Sequence, residues 1–278
     1  MERKDDAVAD ERRGQRRSAR PGTTPDHQPR PGLARKANEP PVPQGLDLRA
    51  LHRSVRAELR GLPKELAEIV AAHLIAAGQL VDDDPELAYA HAEAARRRAA
   101  RLPIVREAAA ETAYAAGRYD AALSELRAIR RMTGANDYLP MMADCERALG
   151  RPEAALKLAK EAKRLRLDPA QRVEMILVEA GARSDLGQSA ESLRILAEAA
   201  DQLNPPAVPP VAVARLRYAY ADALRESGSS ADARMWFSAA AKLDPQGETE
   251  AQARVDELDG LVLNVDEADL EPPSAVQE

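Results

Sequence analysis

The chain has 278 residues and is 45% hydrophobic but only 3% aromatic, with one Phe, one Trp and six Tyr. Alanine therefore supplies much of the apolar content, which favours helix and requires a core assembled from many small burials along the chain. A net charge of -6, one cysteine (Cys145) and four histidines exclude an intramolecular disulfide and a Cys-rich metal site, and the 33 Arg against 7 Lys reflect GC-rich coding as readily as nucleic-acid binding.

Residues 1–45 carry ten Lys/Arg, seven Asp/Glu and seven prolines with almost no apolar periodicity. Such a segment cannot bury enough apolar surface to offset chain ordering, and it is expected to be a disordered basic Pro/Arg-rich arm. The opening Met1-Glu2-Arg3-Lys4-Asp5-Asp6 has no apolar run behind it, so no secretory signal is expected and the cytoplasm is the default location. Leu48, Leu51, Val55 and Leu59 share one face of a leading helix assigned to 46–61, which Gly61 and Pro63 end. The most apolar stretch, Ile69 to Ala77, is interrupted by His73 and too short to span a bilayer.

Residues 62–260 read as a helical repeat array. Glycines recur at Gly78, Gly117, Gly150, Gly187 and Gly228, each after an Ala-rich amphipathic stretch, with spacings of 39, 33, 37 and 41. That brackets the period of about 34 that marks helix-turn-helix repeats. An alanine stands seven residues before every one of them: Ala71, Ala110, Ala143, Ala180 and Ala221. Five residues after the last four come Ala122, Ala155, Ser192 and Ala233, and twelve after come Ile129, Ala162, Ala199 and Ala240. Two helices joined by a tight turn approach most closely beside it, where small side chains fit and glycine takes the left-handed conformation. Asp84-Pro85 and Asp168-Pro169 place a capping carboxylate before a proline at the first helical position. Residues 248–260 are expected to cap the far end, and 261–278 to form a disordered acidic tail. Essentially no strand is expected.

The run Gly117-Arg-Tyr119-Asp-Ala-Ala122 resembles the signature turn of the tetratricopeptide repeat (TPR), with Phe237 where that family favours an aromatic and Asp244-Pro245 at its repeat-closing proline. The resemblance covers roughly 63–247 and extends to an uncharacterised group of tetratricopeptide proteins from high-GC bacteria, through Asp82-Asp-Asp-Pro85-Glu-Leu-Ala-Tyr89 and Tyr218-Ala-Tyr220-Ala-Asp222-Ala-Leu224. It implies an all-α fold, a right-handed α-solenoid of helix-turn-helix repeats with disordered termini. Arg106 and Arg217 depart from the family pattern, standing where a bulky apolar group is usual.

Signals for chemistry are weak. None of His27, His52, His73 and His91 stands three or four residues from another, so no helical zinc pair is present. His73 reads as a tolerated core residue. Cys145 reads as a small buried residue, since no neighbouring base is evident. No glycine loop cradles a phosphate, and Asp82-Asp83-Asp84 lacks the glycine and distal glutamate of a calcium loop. The expectation is no enzyme, no metal and no cofactor.

The family resemblance implies a concave groove lined by the first helices, to which the turn glycines assign Glu107, Glu111, Tyr114, Asp144, Arg147, Tyr218, Asp222 and Arg225. The lysines and asparagines with which some members clamp a C-terminal carboxylate are replaced here by Glu107, Pro140, Leu177 and Tyr218, and by Glu111, Asp144, Gly181 and Asp222. A groove with this acidic bias suits a basic or amphipathic peptide, and Gly181 stands in it as a point of close approach or flexibility. An alternative is an RNA or ribonucleoprotein binder. It would use a basic stripe on the second helices (Arg97, Arg101, Arg127, Arg130, Arg131, Lys160, Lys163, Arg164) together with the basic arm. The shortage of aromatics argues against stacking on single-stranded bases. The expectation is a cytoplasmic protein-interaction scaffold with a protein or peptide partner and no membrane contact.

Overall fold

A computed structural model describes residues 34–36 and 38–261. Most of the basic arm and the acidic tail therefore lie outside the described residues. The described residues form twelve α-helices and no strand. After a 3-10 turn at Leu48–Ala50 come α1 (Arg53–Leu59), α2 (Lys64–Leu80), α3 (Pro85–Ala99), α4 (Pro103–Ala115), α5 (Tyr119–Thr133) and α6 (Leu139–Ala148). They are followed by α7 (Pro152–Ala162), α8 (Pro169–Asp185), α9 (Ser189–Gln202), α10 (Pro210–Glu226), α11 (Ser230–Ala241) and α12 (Ala251–Leu258). From α2 onward each helix packs on the next, and α8 also touches α6 and α10, so that first helices of successive hairpins lie side by side. No described helix is long and apolar enough to cross a membrane.

One turn is used four times. Gly117, Gly150, Gly187 and Gly228 have φ between 68° and 89°, a region open to glycine because it lacks a Cβ. The residue after each glycine donates its N–H to the carbonyl five back: Arg118 to Ala113, Arg151 to Glu146, Gln188 to Arg183 and Ser229 to Leu224, at 2.8–2.9 Å. Each glycine donates three back, which completes a Schellman cap. The next helix starts two residues after the glycine. Gly78 breaks this pattern and corrects the sequence reading: α2 runs through it to Leu80 without a positive φ. The first hairpin turns instead at Val81–Asp84, where the Asp84 N–H donates to the Leu80 carbonyl and the Asp84 carboxylate caps Leu87 at 3.0 Å. Asp168 forms a full capping box with Gln171 at the start of α8.

The positions counted from the glycines are all buried. Ala71, Ala110, Ala143, Ala180 and Ala221 are inside, as are Ala122, Ala155, Ser192 and Ala233, and Ile129, Ala162, Ala199 and Ala240. The largest apolar cluster, around Leu123, Leu126, Ile129, Leu139, Met142 and Cys145, joins the hairpins α4–α5 and α6–α7 and reaches α8. The two arginines that replace bulky apolar residues lay their stems along the helices and find acceptors: Arg106 pairs with Glu125, and Arg217 donates to Asn204 Oδ1 at 2.8 Å.

Both ends are covered. Leu48, Leu51, Val55 and Leu59 all pack with Leu66, Leu74, Ala95 and Val105, although the leading segment is a 3-10 turn and a separate short helix. At the far end, Val255 of α12 packs with Phe237 and Leu224, and Asp259 pairs with Arg234 of α11. Part of the proline-rich segment is also ordered against the helices: Glu39 is only 2% exposed.

Candidate binding groove

Residues of α4, α6, α8 and α10, with Asp137 and Tyr138 before α6, line an open cavity of about 590 Å³. Its apolar wall comes from Pro140, Met141, Ala170, Leu177 and Val178, and its polar rim from Tyr114, Asp137, Tyr138, Asp144, Arg147, Glu174 and Arg215. These residues meet because α6 and α8 touch directly, so the faces of successive first helices form one surface.

The rim is internally wired. The Tyr114 hydroxyl donates to the Asp144 carboxylate across α4 and α6. Arg147 donates to Asp144 at 3.0 Å and reaches Asp185 of α8 at 3.4 Å. Arg215 of α10 pairs with Glu174 of α8 at 2.8 Å. Each rim arginine thus already answers a carboxylate. Behind the rim, Tyr138 lies close to Glu107, which stands one turn from Glu111. Burial pushes the Glu107 carboxyl above the ordinary glutamate range, against the nearby Tyr138 hydroxyl that lowers it and with Glu58 and Asp137 adding to the rise. Glu111 keeps an exposed side chain, and the protein packed around it together with the neighbouring Glu107 pushes its carboxyl upward. Glu174 is raised by burial, in spite of Arg215. Burial and the Asp144 contact hold the Tyr114 phenol well above its usual value.

Of the eight residues assigned from sequence, Tyr114, Asp144 and Arg147 line the cavity, whereas Glu107 and Glu111 stand on α4 outside its lining, near Tyr138. Tyr218, Asp222 and Arg225 are not brought to it. Tyr218 packs edge-on against Phe237 and its hydroxyl accepts from Arg254 of α12 at 3.1 Å, while Asp222 and Arg225 pair with each other at 2.9 Å. Sequence reasoning missed Asp137, Tyr138, Glu174 and Arg215. Asp137 and Tyr138 precede α6, outside the helical register, and the other two enter only through the placement of α8 and α10.

Gly181 acquires a definite role. A Cβ there would sit 3.3 Å from Arg147 Nε and 3.4 Å from Cδ and Cζ. The close approach it permits is that of the Arg147 side chain, laid across α8 on its way to Asp185.

Elsewhere, the basic stripe is partly engaged by carboxylates of other segments. Arg97 meets Glu39, Arg127 meets Glu146, Arg130 meets Glu161 and Lys163 meets Glu179. Arg101, Arg131, Lys160 and Arg164 have no carboxylate partner among the described residues. Burial, with Asp144 and Glu146 adjacent, pushes the Cys145 thiol up to about 12, which keeps it protonated and unreactive at neutral pH. Among the described residues no three His, Cys, Asp or Glu side chains are grouped to hold a metal ion. His73 and His91, 18 residues apart, do meet: their Nδ1 atoms lie 2.9 Å apart across the α2–α3 hairpin. No protein-family model matches the chain, and no curated protein matches it either.

Proposed function

We propose that this chain is a non-catalytic, tetratricopeptide-like scaffold of the cytoplasm, a right-handed α-solenoid whose α4–α10 groove holds a protein or peptide segment with basic side chains and apolar neighbours. What supports this reading is the lining of the cavity. An apolar wall suited to aliphatic side chains is bordered by Asp137, Asp144 and Glu174, with Glu107 and Glu111 of α4 close to the lining residue Tyr138, against two arginines that are each committed to a carboxylate. Such a rim attracts cationic ligands and repels acidic ones. The repeated glycine turn and the buried alanine positions support the tetratricopeptide assignment in the same way.

The test is fluorescence anisotropy with a labelled peptide of alternating leucine and arginine, compared with its leucine–glutamate counterpart. The basic peptide should bind and the acidic one should not. Glu107→Gln combined with Glu111→Gln should weaken binding roughly tenfold at low salt, about 1.4 kcal/mol. Both carboxyls have raised pKa values in the fold, so their contribution to stability is present at low pH and lost as pH rises through the raised values. The double glutamine variant should therefore melt higher than wild type at neutral pH while binding less. Affinity should also fall on acidification at a pH above the usual glutamate range. Equal binding of both peptides, or unchanged binding by the variant, would refute the proposal.

The ribonucleoprotein alternative rests on Arg101, Arg131, Lys160 and Arg164. Capture from lysate with and without nuclease separates the two readings, because a groove ligand survives nuclease and a phosphate-bound one does not.

A further inference from the structure

A second polar site lies away from the groove, on the α2–α3 hairpin. Glu39, in the irregular segment before the 3-10 turn, projects its carboxylate against His73 of α2 and Arg97 and Arg98 of α3. Its Oε1 lies 2.5 Å from Arg98 Nη2 and 3.6 Å from His73 Nε2, and its Oε2 lies 3.4 Å from Arg97 Nη2. The Glu39 and His73 side chains are 1% and 0% exposed, and that of Arg98 is 3% exposed.

The fit is incomplete. Oε1 is held by the Arg98 ion pair alone, while His73 Nε2 and Arg98 Nε are buried without a hydrogen-bond partner among the described residues. Arg98 offers a planar fork suited to gripping both oxygens of a carboxylate, and Glu39 does not use it fully. The donors and the occupant also differ in rigidity. His73, Arg97 and Arg98 stand on helices, with Arg98 Nη1 tied to the Ala94 carbonyl at 2.8 Å and the His73 ring tied to His91. Glu39 stands on a segment with no regular structure, held locally by its own N–H to the Lys36 carbonyl and by Arg35 Nε to its carbonyl. Among the described residues, the remaining polar tie from this segment to the helices is Arg98 Nη2 to the Ala34 carbonyl, at 3.4 Å. Burial pushes the Glu39 carboxyl upward, but Arg98, the Lys36 N–H and Arg97 outweigh it and hold the carboxyl below the ordinary range, so the occupant is an anion.

We infer that His73, Arg97 and Arg98 form an exchangeable carboxylate-binding socket, filled in cis by Glu39 and open in trans to an Asp or Glu side chain of a partner, whose entry releases the segment around residues 38–47. The site is separate from the acidic groove and takes ligands of opposite charge. It also gives Arg97 a different task from phosphate contact, because its guanidinium is turned into the socket.

Chemical rescue tests the socket in the full-length chain. Glu39→Ala removes a CH2–COO⁻ fragment, which acetate replaces. With ionic strength held constant by chloride, acetate at about 100 mM should raise the Tm of Glu39→Ala by roughly 2–4 °C, along a saturating curve. Wild type, with its socket filled, should show little shift, and Glu39→Ala/Arg98→Gln none. No rescue beyond the chloride control, equal rescue without Arg98, or a Glu39→Ala chain that fails to fold with or without acetate would each overturn the inference. A milder variant, Glu39→Gln, gives an independent readout by hydrogen exchange. Faster exchange confined to residues 38–47 supports an exchangeable occupant, whereas lost protection throughout α2–α5 would make Glu39 a fixed structural element and overturn it.

Discussion

The first and last long hairpins fill the same kind of space with opposite materials. Between α2 and α3 the buried side chains are mostly alanines (Ala71, Ala72, Ala77, Ala88, Ala92, Ala95), and the hairpin is bridged by the His73–His91 hydrogen bond, with Glu39 and two arginines against it. Between α10 and α11 lies Phe237, fully buried, with Tyr218 edge-on to it at 5.1 Å and a second edge-on pair, Tyr220–Trp236, also at 5.1 Å. The only Phe and the only Trp of the chain thus stand in one hairpin. Aromatic burial brings a large apolar contribution that is indifferent to pH. The alanine hairpin has little area to offer per residue and relies on polar groups whose charge state matters. A chain of helical hairpins in which each helix packs mainly on the next accommodates both.

The largest effect should come from breaking the aromatic side of this comparison. Phe237→Ala should cost about 3–5 kcal/mol, measured by urea denaturation, with exchange protection lost first in α10–α12. A loss of under about 1 kcal/mol would mean that the aromatic core is dispensable.

The polar side should respond to acid. His73 is depressed to about 4 by burial and by His91, with Arg98 and Arg97 adding to the fall and Glu39 opposing it; burial lowers His91 as well. The geometry agrees, because two Nδ1 atoms at hydrogen-bond distance require one of them to be free of its proton. For a histidine depressed in the fold, the unfolded chain takes up the proton first. Its contribution is therefore fully present above about pH 6.5 and is lost as pH falls toward about 4, on the order of 3 kcal/mol in all. Glu39 acts in the same direction, since its carboxyl is lowered in the fold. Hydrogen exchange at stepped pH should show α2–α3 loosening before α10–α11. His73→Asn, which does not titrate and still hydrogen-bonds, should flatten the slope. Loosening at both ends together would erase the distinction.

The smallest effect lies between the two ends. Gly181→Ala gains up to about 1 kcal/mol of helix propensity and crowds the half-exposed Arg147 by a few tenths of an ångström. Because that side chain can swing, the net should be a gain of roughly 0.5 kcal/mol, read from the Tm, together with a weaker Arg147–Asp185 contact. A net loss would show Arg147 to be rigidly held.

These regions also differ in how legible they were. The hairpins announced themselves because a left-handed turn admits glycine and a close crossing admits alanine, so Gly117, Gly150, Gly187 and Gly228 and the residues counted from them carry the geometry in their identities. Gly78 misled because the triple aspartate and Pro85 supply that turn and cap by other means, leaving the glycine inside α2. In the groove, Tyr114, Asp144 and Arg147 followed from the family resemblance, carried over in register from the turn glycines, whereas Tyr138 and Arg215 depend on a loop and on a neighbouring hairpin. A sequence spacing of three or four marks partners one helical turn apart, whereas His73 and His91 meet across a hairpin, 18 residues apart. Glu39 was hidden most completely, since four nearby prolines and basic neighbours give it the composition of an unstructured arm.

Trp236 makes the last hairpin optically separate from everything before it. It is the sole indole, half-buried on Tyr220 with the Arg217 guanidinium 6.0 Å from its ring centre. Selective excitation of its emission would follow that end alone, while far-ultraviolet circular dichroism averages over all the helices. The wild-type chain therefore holds its own local dye, and a gap between the two melting curves would record directly whether the array comes apart at once or unit by unit.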